Sequence, residues 1–169
     1  MKKILVFLFV AVALIGLSCK SAPVADGVSI EIEGEVTQEK VNEALGKIYS
    51  MYYNKLDLSE AQSYTVQKGD TLSQITRNHY GNLTDVGVAG TRNGFYFPIL
   101  MLASSNAGIV DPDLIEPGMK LTIPDLKKNL ANSGARKAIK DCLNDVSYVY
   151  NKKGQSATEK GLVALSDSL

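Results

Sequence analysis

The chain has 169 residues, enough for one domain or for one small domain with additions. Its 18 Lys and Arg residues balance 18 Asp and Glu residues, so the formal net charge is zero. A nucleic-acid partner usually requires a basic face, and this balance gives no reason to expect one. Any ligand would have to be recognised by shape and hydrogen bonds rather than by long-range charge attraction.

The first 18 residues have the layout of an export signal. Lys2 and Lys3 form a short basic start, and residues 4–17 form an unbroken apolar run. A helix of that length would span about 21 Å, short of the ~30 Å hydrocarbon core of a bilayer. We therefore expect a secretory signal peptide over residues 1–18 rather than a retained membrane span.

The end of this run resembles the lipobox of bacterial lipoproteins, in which a Cys after small residues becomes the first mature residue and carries acyl chains. Ser18 precedes Cys19, although Gly16 stands where the family pattern prefers Leu. The resemblance implies lipidation of Cys19 and stable membrane anchoring. The alternative is cleavage by ordinary signal peptidase, which would leave a soluble protein. Lys20 follows Cys19 in place of the Asp associated with inner-membrane retention, which favours the periplasmic face of the outer membrane.

A tether and an amphipathic helix are predicted next. Residues 19–35 begin with small and helix-breaking residues, and Val28, Ile30 and Ile32 then alternate with polar residues, so this part is either a short strand or an extended linker. Residues 36–60 contain a helix that Thr37 can cap and that runs to about residue 56, with apolar residues on one face.

The central segment begins with a strand and a helix. Residues 64–67 are β-prone and alternate in polarity, and residues 68–70 form a tight turn. Residues 71–74 are a capping-box pattern that opens a helix, and Gly81 closes that helix.

The same segment ends with a helix and a strand. The second helix is predicted over residues 97–105, followed by a turn at residues 111–113. Residues 116–119 have Pro and Gly at the centre of a type II turn, and residues 120–123 form a strand that Pro124 stops. The predicted order is β-α-α-β.

A helical extension is predicted over residues 125–169. Residues 125–132 are polar, Ser133 can start a helix with an apolar stripe, and Gly154 ends it. Residues 156–159 form another capping-box pattern before a last helix through Leu162, Val163 and Leu165. Cys142 lies on the apolar stripe and is interpreted as a small buried hydrophobe. The flanking helices should pack on each other or on the central segment, because a unit of about 60 residues buries little alone.

The central segment resembles the LysM family at both of its ends. Tyr64-Thr-Val-Gln-Lys-Gly-Asp-Thr-Leu72, with Tyr80-Gly81, is similar to the family's start, and Asp111-Pro-Asp-Leu-Ile-Glu-Pro-Gly118, with Leu121-Thr-Ile-Pro124, is similar to its end. The resemblance covers residues 64–124. It implies an α+β fold, a βααβ module with two helices on a two-stranded antiparallel sheet, here flanked by amphipathic helices.

The resemblance also implies non-catalytic binding of N-acetylglucosamine-containing glycans such as peptidoglycan. Such a site needs backbone groups aimed at the acetamide and an apolar patch for its methyl group. In the family the groove lies between the first strand–helix turn and the loop after the second helix. Carried over, the groove residues are Gly69, Asp70, Thr71 and Leu72 on one side and Asn106, Ala107, Gly108, Ile109 and Val110 on the other. Each residue has a structural alternative, as turn glycine, helix cap or core.

One departure from the family is the connector between the two helices. Residues 82–96 form a longer, glycine-rich connector where the family has a few residues. It is either a neutral surface loop or a contact specific to this protein, since loops are where insertions are tolerated and function varies.

An enzyme is not expected. His79 is the only histidine, so the chain cannot build a His-based triad or a multi-histidine metal site, and no metal or cofactor is expected. The carboxylates of Asp111 and Asp113 are explained by a turn. The alternative function is an envelope scaffold, in which the LysM fold and its flanking helices bind a protein partner rather than glycan.

Overall fold

Six α-helices and two β-strands are found in the part of the chain that the structure, a computed structural model, describes: residues 30–81, 90–105 and 110–169. In chain order they are α1 (Gln38–Tyr52), β1 (Gln62–Thr65), α2 (Leu72–Tyr80), α3 (Phe97–Ser104), β2 (Lys120–Ile123), α4 (Leu126–Ala131), α5 (Ser133–Lys152) and α6 (Ser156–Asp167). The expected α+β layout, with a βααβ centre between flanking helices, is confirmed. The export signal predicted for residues 1–18, with Cys19, lies outside the described residues.

The two strands pair antiparallel, from Gln62 opposite Ile123 to Thr65 opposite Lys120. β1 therefore begins two residues before the predicted strand at residues 64–67. Val66 still exchanges backbone hydrogen bonds of 2.9 Å with Met119 and Gly118, but the N–H of Gln67 donates to the Asp70 carboxylate instead. The hydrogen bond from Gln67 to Asp70 therefore ends the strand pairing earlier than the sequence pattern predicted.

The two helices of the central segment have different environments. α2 begins as predicted, with the Thr71 hydroxyl accepting a hydrogen bond from the Gln74 N–H, and it buries one face. All eight residues of α3 are buried. A helix that is apolar on all sides needs cover on all sides, and α3 contacts β2 together with α1 and α5. The helices outside the central segment therefore complete its core, as expected.

α1 and α5 pack directly against each other. The Tyr52 hydroxyl of α1 donates a 2.7 Å hydrogen bond to the buried Asp145 carboxylate of α5. α1 stops at Tyr52 and continues as a 3-10 turn over Tyr53–Lys55, close to the predicted end. Cys142 on α5 is fully buried, as predicted, and burial raises the pKa of its thiol.

The C-terminal extension contains one more helix than predicted, and one predicted helix cap is wrong. The polar segment at residues 125–132 contains α4, and Asn129 within it is buried because its side chain bonds both backbone groups of Asp57. The capping box at residues 156–159 does not form, since Gln155 is the cap residue of α6 and makes no side-chain cap bond. Leu162 and Leu165 are buried, whereas Val163 is 36% exposed.

The start of the described chain is extended but unpaired. Ile30 and Ile32 are buried while Glu31 and Glu33 are exposed, and the Ile32 N–H donates to the Tyr148 hydroxyl at 3.2 Å. The alternation therefore reflects packing of an extended segment rather than a strand. Within the described ranges, no helix has both the length and the apolarity to cross a membrane.

The connector between α2 and α3 is partly core. Residues 82–89 lie outside the described residues, but Gly90–Tyr96 forms a 3-10 helix. Asn93 and Tyr96 are fully buried, and the Asn93 amide donates a 2.7 Å hydrogen bond to the Tyr80 carbonyl. Phe95 packs against Gly161 of α6, where an added Cβ would lie 2.1 Å from the ring. A neutral surface loop is therefore wrong for this described part, because the C-terminal helices give it a surface to pack on.

Candidate functional site

The first wall of the candidate site is the turn between β1 and α2. Gly69 adopts a φ of 91°, a left-handed conformation that favours glycine. The Asp70 carboxylate accepts hydrogen bonds from the Gln67 N–H at 2.7 Å and from the Tyr64 hydroxyl at 2.8 Å. The hydrogen bond to Asp70 raises the pKa of the Tyr64 phenol above its usual value. Asp70 therefore fixes the shape of the turn.

Thr71 and Leu72 follow directly and have different environments. Thr71 is exposed and caps α2, while Leu72 is 4% exposed and belongs to the core. All four residues predicted on this side thus have a structural role. Gly69 and Thr71 shape the turn and the helix start, and the backbone N–H of Asp70 between them donates to the Gln67 carbonyl at 3.2 Å.

The second wall is the loop that leads to β2. Asn106, Ala107, Gly108 and Ile109 lie outside the described residues, and Val110 is half-buried against the core. Asp111 is 4% exposed, and its carboxylate accepts from the Asp113 N–H at 2.8 Å and from the Gln38 side-chain amide of α1.

A charge contact holds the outer part of this loop. The Asp113 carboxylate forms a 2.7 Å ion pair with the Lys153 ammonium at the end of α5. Lys153 also lies 5.0 Å from the centre of the Tyr150 ring. The flanking helices α1 and α5 therefore position the described part of the second wall.

A cleft of about 290 Å³ lies between these walls. Its apolar surface includes Leu72, Phe97 and Tyr150, and the last two rings meet edge to face with centres 5.7 Å apart. The remaining lining residues are Asp70, Thr71, Ser73, Pro112, Asp113, Ile115, Gln155 and Thr158. An apolar floor with a polar rim is the combination that an acetamido sugar requires.

The cleft has a third wall that sequence reasoning missed. Tyr150 lies near the end of α5, Gln155 in the turn before α6, and Thr158 in the first turn of α6. Tyr150 belongs to the predicted apolar stripe of α5, Thr158 fills an unspecified position of the capping-box pattern at residues 156–159, and Gln155 belongs to no motif. No local signal identifies them, because only the packing of α5 and α6 brings them to the turn at Asp70.

Two of the other depressions lined by described residues contain no residue of the predicted groove. One, of about 220 Å³, is lined by residues that include His79 and Pro124. The other, of about 520 Å³, lies between the N-terminal extended segment and α1. Among the described residues no group of three or more His, Cys, Asp or Glu side chains could hold a metal ion.

The comparison with protein families agrees with the geometry. The model of the LysM domain matches residues 64–89 and 100–124. This chain contains a LysM domain. LysM domains generally bind N-acetylglucosamine-containing glycans, and they are binding rather than catalytic domains. No curated protein and no solved structure gives a match. The matched LysM residues include both predicted walls of the cleft but not the third wall.

Proposed function

We propose that this protein binds peptidoglycan, or a related N-acetylglucosamine polymer, without catalysis and as a lipid-anchored lipoprotein of the cell envelope. The observation that carries the proposal is that the LysM match and the cleft coincide: residues 70–73 at the start of α2 and residues 112, 113 and 115 of the loop before β2 all line it. The ligand is held by backbone groups of these loops and by the apolar floor around Leu72 and Phe97. Cys19 is the lipidation site, and the anchored protein lies on the periplasmic face of the outer membrane.

The floor and rim support a neutral sugar ligand. The acetamide methyl group packs on the apolar floor, where the edge-to-face pair of Phe97 and Tyr150 is already ordered. The sugar hydroxyls and the amide meet the polar rim. The residues that line the cleft include no Lys or Arg, and Lys153 beside Asp113 is already paired with it, so recognition does not require an anionic ligand.

A sedimentation assay tests glycan binding. Full-length chain purified in detergent is mixed with isolated peptidoglycan sacculi and centrifuged, with cellulose as the matched polymer that lacks acetamido groups. We expect the protein in the sacculus pellet, in the cellulose supernatant, and back in solution when soluble N-acetylglucosamine oligomers are added. Equal pelleting with both polymers, or with neither, would contradict the proposal.

The same assay separates glycan binding from the envelope-scaffold alternative. A scaffold would stay in the supernatant with protein-free sacculi and pellet only when an envelope protein is present. The described surface gives that alternative little support, because only three large apolar side chains among the described residues are exposed: Val36, Leu114 and Val163.

The anchor is tested separately by fractionation. Replacing Cys19 with Ala should move the protein from the membrane fraction to the soluble envelope fraction, because the lipobox then has no cysteine to carry the acyl chains. Replacing the buried Cys142 with Ala is the matched control and should leave the distribution unchanged. Membrane retention of the Cys19→Ala protein would refute lipidation at this residue.

A further inference from the structure

We propose that the corner between α5 and α6 is part of the glycan site, with Gln155 and Thr158 contacting the sugar directly. This inference rests on the proposed glycan binding. It assigns ligand contacts to the C-terminal extension, which lies outside the residues matched by the LysM family. Both side chains line the same cleft as Thr71 and Ser73 at the start of α2.

The chain direction at this corner is fixed by hydrogen bonds. Gly154 adopts a φ of 72°, its N–H donates to the Asn151 carbonyl, and the Gln155 N–H donates to the Tyr150 carbonyl, both at 2.9 Å. This is the Schellman pattern, which sets the path by which a chain leaves a helix. The backbone of Gln155 is therefore held in place beside the cleft before any ligand arrives.

α6 is held in place by contacts on its other faces. Leu162 and Leu165 are fully buried, and the Ser166 hydroxyl donates a 3.1 Å hydrogen bond to the Lys140 carbonyl of α5. The Phe95 ring packs on Gly161. Thr158 thus stands on a supported helix, and a ligand in the cleft would meet a preorganised wall.

The chemistry of the two side chains suits an acetamido sugar. The Gln155 carboxamide is exposed and does not cap α6, and it offers both a donor and an acceptor, as an acetamide does. Thr158 is half-buried and offers a hydroxyl with a methyl group. The Lys153–Asp113 ion pair joins this corner to the second wall, so the cleft is bounded on three sides.

The test measures binding of the soluble N-acetylglucosamine tetramer to full-length chain by titration calorimetry. Gln155→Ala should weaken binding about fivefold, the usual size of one net hydrogen bond. Thr158→Phe should fill the cleft and weaken binding beyond fiftyfold. Lys160→Phe is the matched control: it introduces the same ring on α6 at an exposed position that does not line the cleft, and binding should stay within twofold of wild type.

Each result decides between the two proposals. If wild type binds the tetramer and both cleft variants bind equally well, the third wall is refuted while glycan binding by the LysM loops stands. If wild type does not bind, both proposals fail. If Thr158→Phe does not fold, as judged by circular dichroism, the exposed Gln155→Ala change alone decides the outcome.

Discussion

The contact between Phe95 and Gly161 offers a sharp test of how the connector is held. A Cβ placed on Gly161 would lie 2.1, 2.3 and 2.5 Å from three atoms of the Phe95 ring. Carbon atoms in contact normally stand about 3.5–4.0 Å apart, so a Gly161→Ala change must move the ring by more than ~1 Å. The ring lies in the 3-10 helix Gly90–Tyr96, which has the buried Tyr96 beside it.

Two opposing effects set the size of the change in stability. Alanine is favoured over glycine inside a helix by up to about 1 kcal/mol. Overpacking, or swinging the half-buried Phe95 ring into water, costs about 1–3 kcal/mol. Gly161→Ala should therefore destabilise the protein by about 0–2 kcal/mol. Gly46→Ala in α1 is the matched control, because its Cβ would meet only Val110, at 4.0 Å, and it should stabilise the fold by about 0.5–1 kcal/mol.

Urea unfolding monitored by circular dichroism measures both variants. The decisive quantity is the difference between Gly46→Ala and Gly161→Ala, expected at about 1–3 kcal/mol. Adding Phe95→Ala should make Gly161→Ala as favourable as the control, because the clash is then removed. If both glycine variants stabilise the protein equally, the Phe95 ring does not pack on Gly161 and the connector is not held by α6.

Three further changes test the core and the walls of the cleft. Burial raises the pKa of the Asp145 carboxyl from 3.8 to about 6, so the stabilisation that its protonated form supplies is fully present below pH 3.8 and is lost as the pH rises through 6. Between pH 4.5 and 7.5 the free energy of unfolding should fall by about 2 kcal/mol. Asp145→Asn should remove this pH dependence, because its side-chain carbonyl still accepts the hydrogen bond from Tyr52 but does not titrate. Urea unfolding of both proteins at pH 4.5 and 7.5 measures the difference. If the stability of the wild-type protein and of the variant changes equally with pH, Asp145 is not a buried carboxylate. Gly69→Ala should lower the free energy of unfolding by about 1–2 kcal/mol because alanine disfavours a φ of 91°; nothing lies within 4 Å of the new Cβ, so no clash contributes. An unchanged melting temperature would contradict this expectation. Gln38→Ala leaves the buried Asp111 carboxylate without one hydrogen-bond donor, so it should lower the free energy of unfolding by about 1–2 kcal/mol and weaken binding of the N-acetylglucosamine tetramer. If the affinity measured by calorimetry is unchanged, the second wall does not contact the ligand.

The elements that were predicted correctly from the sequence are those marked by residues close together in the chain, such as helix caps and turns. Thr71 caps α2 where the capping box indicated, and the turn at residues 116–119 forms with Gly118 at a φ of 92°. Such signals lie within four residues of each other, so they are visible without tertiary structure. The capping box at residues 156–159 failed because the Schellman turn at Gly154 starts α6 one residue earlier.

The parts that sequence reasoning missed depend on contacts between distant residues. The connector is glycine-rich and gives no periodic signal, yet Asn93 and Tyr96 are fully buried because the 3-10 helix that carries them packs against α2 and α6. Asn129 is a polar residue in a polar segment, and it is buried because the backbone of Asp57, 72 residues away, supplies its partners. Polar burial of this kind follows from geometry that no local pattern encodes.

The candidate site also contains both residues that could be predicted from the sequence and residues that only the structure reveals. The turn at residues 69–72 could be assigned from the LysM resemblance, whereas Gln155 and Thr158 lie outside both the motif and the family match. Their place in the cleft follows from two long-range contacts, the packing of Tyr150 on Phe97 and the ion pair of Lys153 with Asp113.

The C-terminal helices therefore have two effects that arise from the same contacts. α5 covers the fully buried α3, and its last turn carries Tyr150 to the cleft. Because one helix both completes the core and lines the cleft, displacing it would disturb folding and binding together. A ligand that contacts both the start of α2 and the corner before α6 would then stabilise the packing of the extension on the LysM domain. This stabilisation grows with the logarithm of the ligand concentration once that concentration exceeds the dissociation constant. A LysM domain that depends on its extension in this way acts as one unit with it, rather than as a separate module joined to a helical tail.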